Sequence, residues 1–263
     1  KPFEKTEVKP ELVEGAILDK ILNSSIGPKI NGMTIGEAFT KLAVEKGSIF
    51  ACGNLSQMYA DGMGGLKKDE KEALRLMALA AKQGYSDAIA NLGIFYLDGL
   101  CGLIKNLREA VRFCKLSANL GNAGAQCILA CIYTGHFGDL YKDEKEALRL
   151  FELGAKQECA EAQYYLAGNY FSGCLGLDKD EKLALHLLIL SAQQGFAHAQ
   201  HQLALMYQAS LCGLVKNDQR SYQLFRLAAD QGHAEAQVSL AALMKNGQGF
   251  AMEAALIDAE RIA

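Results

Sequence analysis

Three groups of residues have the types and spacing to do chemistry. Cys127 and Cys131 lie four apart, which on a helix puts two thiols on one face where they could share a soft metal ion. Zinc takes about four ligands, and no further Cys or His stands at a supporting spacing, so the pair reads as buried packing. His198 and His201 are three apart, with His233 one period further on. Such a constellation could bind a metal or sense pH, against the commoner reading of histidines on solvated helix turns. Gly62-Met63-Gly64-Gly65 has the glycine density of a phosphate loop. It lacks the Gly-Lys-Ser/Thr ending and follows a helix where a strand is required. No Ser–His–Asp order and no carboxylate pair stands out from the surface charge. The sequence therefore predicts no catalytic site, no metal and no cofactor.

The elements that carry these residues explain them better. Ala51, Ala88, Ala125, Ala162, Ala199 and Ala236 recur at a step of 37 residues. Leu55, Leu92, Leu129, Leu166, Leu203 and Leu240 follow four positions on, and Tyr59, Tyr96, Tyr133, Tyr170 and Tyr207 four beyond those, with Met244 closing the row. A fixed period of this size predicts units that stack their cores on one another.

Within the first unit, Ala51, Leu55, Met58 and Tyr59 have helical spacing. A stretch with paired glycines follows (Gly62 and Gly65, Gly99 and Gly102, Gly173 and Gly176), then Gly213 alone with Ser210 in the other place. A leucine expected to be buried comes next, at Leu66, Leu103, Leu140, Leu177 and Leu214. In the third unit His136 and Asp139 displace both loop glycines, so that loop is expected to be built differently. The second helix opens on a polar cap, Asp69, Asn106, Asp143, Asp180 or Asn217; Glu72, Glu109 and Glu146 complete three capping boxes. It closes on Gly84, Gly121, Gly195 or Gly232. Glu158 breaks that rule, which predicts an altered or strained corner. Each unit is a helix–loop–helix hairpin, and one hairpin alone cannot shield its apolar face.

Composition sets the class. Of 263 residues, half are apolar, 22% are charged and only 3 are proline, which suits a helical protein with much to bury. The net charge of −3 gives no footprint for nucleic acid. No apolar run approaches the roughly 18 residues needed to cross a bilayer, so no direct membrane insertion is expected. The eight cysteines are out of register from unit to unit, which predicts free thiols in the cytoplasm or another reducing compartment, host cytosol included. The chain opens Lys1-Pro2 without a methionine, which predicts a fragment or processed form. Residues 1–46 are expected to be N-terminal helices with a degenerate capping unit, 47–231 five full units, and 232–263 a partial unit with a capping helix. Polar ends predict a monomer.

The spacing Ala-x3-Leu-(Gly/Ala)-x2-Tyr, Gly-x2-Gly-Leu, a Lys-Asp cap, then Ala-Leu leading to Leu-(Ala/Ser)-Ala-x2-Gly resembles the Sel1-like repeat, a relative in architecture of the tetratricopeptide repeat. The fourth unit shows it well in Ala162, Gln163, Leu166, Ala167, Tyr170, Gly173, Gly176, Leu177, Lys179, Asp180, Ala184, Leu190 and Ala192. The resemblance implies an all-α, right-handed α/α superhelical solenoid. It also implies a non-catalytic scaffold or adaptor, in settings that include bacterial regulation and virulence. The alternative class is an enzyme, or a module bound to one, acting on cell-wall or small substrates.

The same resemblance implies that the first helices line a concave groove for a peptide or helix of a protein partner. Counting from the glycine before each unit, the contacting positions are 6, 10, 13 and 14. These positions give Gln57 and Asp61; Ile94, Leu97 and Asp98; Tyr164 and Phe171; and His201, Leu205 and Gln208. Position 6 also holds Gly53, Ala90 and Cys127, and position 10 Cys131 and Gly168. These residues vary while the core rows do not, and they are more apolar than a solvated face requires. Packing of some of them against a neighbouring turn remains the alternative.

Overall fold

A computed structural model describes residues 47–245, together with Thr34, Ala38 and Thr40. Most of the N-terminal helices expected over 1–46, and the capping helix expected at the end of 232–263, lie outside them. Ala38 and Thr40 are helical, and the Ala38 N–H donates to the Thr34 carbonyl at 3.0 Å. Two compact units divide the chain, Lys1–Asn122 and Ala123–Ala263. The first holds α1 (Ile49–Asp61), α2 (Glu70–Lys82), α3 (Ser86–Asp98) and α4 (Leu107–Asn119). The second holds α5 (Ala123–Tyr133), a 3-10 turn (Asp139–Tyr141), α6 (Glu144–Lys156), α7 (Ala160–Ser172), α8 (Glu181–Gln193), α9 (Ala197–Ala209), α10 (Asp218–Asp230) and α11 (Ala234–Lys245). The described residues form an all-α repeat fold in which odd-numbered helices open the hairpins and even-numbered ones close them.

Each closing helix starts where its polar cap stands. The side chains of Asp69, Asn106, Asp143, Asp180 and Asn217 accept backbone N–H groups of the first turn. Only half of the expected capping box forms. The cap residue's own N–H donates back to the carbonyl of Tyr59, Tyr96, Tyr133, Tyr170 or Tyr207 at 2.7–3.3 Å, tying the two helices of the hairpin together. Glu72, Glu109 and Glu146 turn instead to Arg75, Arg112 and Arg149, one turn on.

The corners need left-handed backbone, which glycine adopts without steric cost. Gly84, Gly121, Gly195 and Gly232 sit at φ of 86–90°. Glu158 holds the same corner at φ 60°, so the turn is kept and the strain falls on a side-chain-bearing residue. The hairpin loops carry strain the sequence did not announce: Cys101, Leu175, Ser210 and Cys212 all lie at φ of 51–55°. The third loop departs as expected. Helix α5 stops at Tyr133, Gly135 and Gly138 take φ of 89° and 100°, and a 3-10 turn follows. This rebuilt loop turns Leu140 out to 81% exposure, whereas Leu66, Leu103, Leu177 and Leu214 are half-buried. The expectation of a buried Leu140 is thereby corrected.

The alanine row lies at 0–1% exposure, and Leu55, Leu92, Leu129, Leu166 and Leu203 are buried beside it. Full burial of one such leucine is worth about 1.5–3 kcal/mol. Close approach of the helices depends on small residues. A Cβ on Gly93 would stand 2.6 Å from Cys114 Sγ, and one on Gly154 would stand 2.8 Å from the Ala162 Cβ.

Candidate functional site

The opening helices must be joined to their neighbours before any face of theirs is free to bind. In the second unit a buried polar spine does part of this. Gln126, Gln163 and Gln200 are 4–5% exposed, and each side-chain oxygen accepts from the amide of Gln157, Gln194 or Gln231 at 2.8–2.9 Å. Gln163, Gln200 and Gln237 also donate to the Ala155, Ala192 and Ala229 carbonyls, at 3.2–3.5 Å. These acceptors belong to the last turn of the preceding closing helix, where carbonyls lack intrahelical partners. Only Gln163 had been noticed in the sequence, as part of a motif. The 37-residue recurrence of the other glutamines was the available signal.

Position 6 is shared with the neighbouring repeat rather than left wholly to solvent. It packs on position 1 of the next repeat. A Cβ on Gly53 would fall 2.8 Å from the Tyr85 ring, so the missing side chain makes room for that ring. Cys127 faces Cys159. Tyr164 meets Phe196 edge-on at 5.3 Å between ring centroids, and His201 meets His233 at 4.9 Å. Ala90 and Cys127 are accordingly buried.

The three histidines that stood out do come together. His198 lies 4.5 Å from His233, centroid to centroid, and Phe196 and Phe225 bracket the group. His233 Nδ1 accepts the Ala236 N–H at 3.2 Å and lies 3.4 Å from the Glu235 carboxylate. Burial, and then the neighbouring His233, hold the pKa of His198 and His201 below the ordinary histidine value. Among the described residues no cluster of His, Cys, Asp and Glu is arranged to hold a metal ion, and no helix is long and apolar enough to cross a membrane.

The remaining candidates are placed as follows. In the first unit Gln57 and Asp61 are exposed and hydrogen-bonded to each other at 2.6 Å, Asp98 is exposed, and Ile94 and Leu97 are half-buried. In the second unit Tyr164 and Phe171 are half-buried and lean on a core of Ala167, Leu188, Leu203 and Met206. His201 and Gln208 are half-buried and Leu205 is 37% exposed.

Position 10 of the fourth repeat is where the surface opens. Gly168 lies in the middle of α7, and a Cβ there would meet nothing within 4 Å. The helical glycines Gly53, Gly93 and Gly154 all yield to a neighbour; Gly168 yields to none. A cavity of about 470 Å³ lies over it, lined by Tyr164, Tyr165, Phe171, Leu188 and Met206 and rimmed by His136, Asn169 and Gln202. No Asp, Glu, Lys or Arg lines it. Its volume falls in the range of small-ligand and side-chain pockets.

Comparison with known proteins agrees with this architecture. Residues 49–85, 86–122, 123–159, 160–196 and 197–233 each match the Sel1 repeat model. No curated protein matches the chain. Among solved structures, a Sel1 repeat protein from Oxalobacter formigenes is 25% identical, with 90% of this chain and 87% of that one covered and a TM-score of 0.63. A protective antigen of uropathogenic Escherichia coli with an SLR fold is 30% identical over 81% of this chain, with a TM-score of 0.57; the match spans 44% of the antigen's length. An immunity protein from Pseudomonas aeruginosa shares the fold at 24% identity and a TM-score of 0.56, over 74% of this chain and 73% of its own. Sel1 repeats suggest a protein-interaction scaffold. With five tandem matches running from residue 49 to residue 233, the chain belongs to the Sel1 repeat family.

Proposed function

We propose that this chain is a non-catalytic scaffold that holds a segment of a partner protein against its opening helices, with the cavity over Gly168 as the anchor point. The observation that carries the reading is Gly168 itself. Glycine inside a helix costs about 1 kcal/mol relative to alanine, and here no close contact requires it. In the same register other repeats place Gln57, Ile94, Cys131 and Leu205, so a larger side chain is compatible with the fold. What glycine provides is an uncharged recess, and an aromatic or branched apolar side chain is the occupant it suits. Partner segments commonly anchor in this way, through a few apolar side chains in desolvated pockets. Around it, Tyr164, Phe171, Leu205 and Gln208 supply the rest of the surface in the second unit; Gln57, Asp61, Ile94, Leu97 and Asp98 are the candidate contacts in the first. Sel1-repeat folds are typically non-catalytic, which supports the same reading.

The test is selection of binding peptides from a displayed random library on the immobilised chain, followed by comparison with Gly168→Leu. Wild type should enrich uncharged segments with a shared aromatic or branched apolar residue. The variant should keep its helical circular dichroism and lose at least tenfold in affinity for those peptides. Undiminished binding by folded Gly168→Leu would place the anchor elsewhere.

A further inference from the structure

The joint between the third and fourth repeats differs in kind from its neighbours. Where the later joints set ring against ring, this one sets thiol against thiol. Cys127, on α5, is buried; it stands at position 6, facing Cys159, the N-cap of α7, at position 1, with Cys131 one turn along its own helix. All three cysteines are free. Cys159 is half-buried and within 3.3 Å of a Glu161 carboxylate oxygen. Cys131 is half-buried beside Tyr165, a wall of the cavity described above.

We propose that Cys127 and Cys159 form an oxidisable pair, a modification site at which a hydroperoxide converts two free thiols into a disulfide that staples the third repeat to the fourth. The choice of partners follows from geometry. A disulfide needs its Cβ atoms about 3.5–4.5 Å apart, whereas residues four apart on a helix hold theirs about 5–6 Å apart. Cys127 and Cys131 therefore cannot close without unwinding α5. Cys127 and Cys159 occupy the positions 6 and 1 that elsewhere put Tyr164 on Phe196 and His201 on His233.

The chemistry balances. The Cys159 thiolate attacks one peroxide oxygen, giving a sulfenic acid and releasing hydroxide, which takes up the thiol proton as water. The Cys127 sulfur then displaces the sulfenic hydroxyl, which leaves with the Cys127 proton as a second water. Two thiols and one hydrogen peroxide become one disulfide and two waters. Cys159 is the residue fitted to react first. It stands at a helix N-terminus, which favours a thiolate, and the neighbouring Cys127 thiol holds its pKa below the usual thiol value. Cys127 is held high by Cys131, by Cys159 and by burial. Once formed, the bond closes a loop of about thirty residues, which constrains the unfolded chain.

The experiment uses the whole chain. Brief treatment with hydrogen peroxide, alkylation of the remaining thiols and peptide mapping without reductant should show one cross-link, between the Cys127 and Cys159 peptides, with the loss of two hydrogens. Tm should rise on oxidation and return with dithiothreitol, while reductant alone leaves the untreated protein unchanged. Cys159→Ser and Cys127→Ala should abolish both effects, and Cys131→Ser should preserve them. Alanine is chosen at 127 because Ala90 fills the same register in the second repeat. A cross-link to Cys131, over-oxidation of Cys159 without a cross-link, or no reaction at either sulfur would overturn the proposal.

Discussion

Replacing Gln200 by leucine removes a buried node of the polar spine and measures what the spine contributes. In wild type the side chain makes two hydrogen bonds, accepting from Gln231 Nε2 at 2.9 Å and donating to the Ala192 carbonyl at 3.2 Å, at 4% exposure. Each such bond is worth about 0.5–1.5 kcal/mol net, so the single change should cost about 1–3 kcal/mol. Ala192 keeps its bond from the Gly195 N–H at 3.1 Å, and the Gln231 side chain is exposed enough to find water, so the penalty belongs low in that range. Gln231→Leu alone forfeits that shared bond, about 0.5–1.5 kcal/mol, together with an exposed one to the Leu227 carbonyl at 3.2 Å that water replaces. The double variant loses the bond between the two glutamines only once. The two changes should therefore be non-additive by about 0.5–1.5 kcal/mol, within the span seen for contacting pairs. Nature has made a similar exchange in the second repeat, where Ile89 and Leu120 fill the two positions and Ile89 is 2% exposed. Urea titration followed by circular dichroism, with all four proteins in one buffer, reads the cycle. Strict additivity would mean that Gln200 and Gln231 contribute separately and that no spine exists.

The strained corner should yield to the residue it lacks. Glu158→Gly is expected to stabilise the second unit by about 0.5–1 kcal/mol, since relief of roughly 1–2 kcal/mol of left-handed strain exceeds the extra entropy glycine gives the unfolded chain; a lower midpoint in thermal unfolding would refute the strain. The histidine cluster fixes a pH dependence. Because the folded-state pKa values of His198 and His201 are depressed by burial and by His233, the folded chain binds fewer protons than the unfolded one. Their contribution to stability is complete above the ordinary histidine value of about 6.5 and is lost as pH falls through it toward the lower folded values. The loss of urea midpoint between about pH 7.5 and 5.5 should be smaller in His198→Gln/His201→Gln than in wild type; equal losses would show that these imidazoles are not the titrating groups.

Much of the fold was legible because it rests on local chemistry repeated several times. A polar cap, a left-handed glycine and an alanine row each signal through one or two residue types, and five copies in register remove the ambiguity of any single copy. Glu158 was flagged for the same reason, by departing from a rule its neighbours keep. Which side of the opening helices is left open was less legible. Helical spacing says that positions 6 and 10 share a side of the helix; it does not say how far the next repeat's turn leans over that side. Tyr85, Cys159, Phe196 and His233 reach across it and cover part of position 6, leaving position 10 more open to the surface. Leu140 escaped because its environment depends on where α5 unwinds, a choice made by Gly135 and Gly138 rather than by the leucine. Cys101, Leu175 and Cys212 concealed their left-handed backbone because nothing in a cysteine or leucine advertises it, although Gly64 in the first loop is the residue the geometry prefers.

Because each seam is settled by one side chain from either side of it, the seams are exchangeable parts. Swapping two residues at a time would move a trait without redrawing the repeats that carry it. The ring pair of His201 and His233, exchanged for Tyr164 and Phe196, would move the imidazole contact one module along. A lineage that duplicates such modules can diversify the hinges of the array one at a time, while the alanine and leucine rows stay fixed.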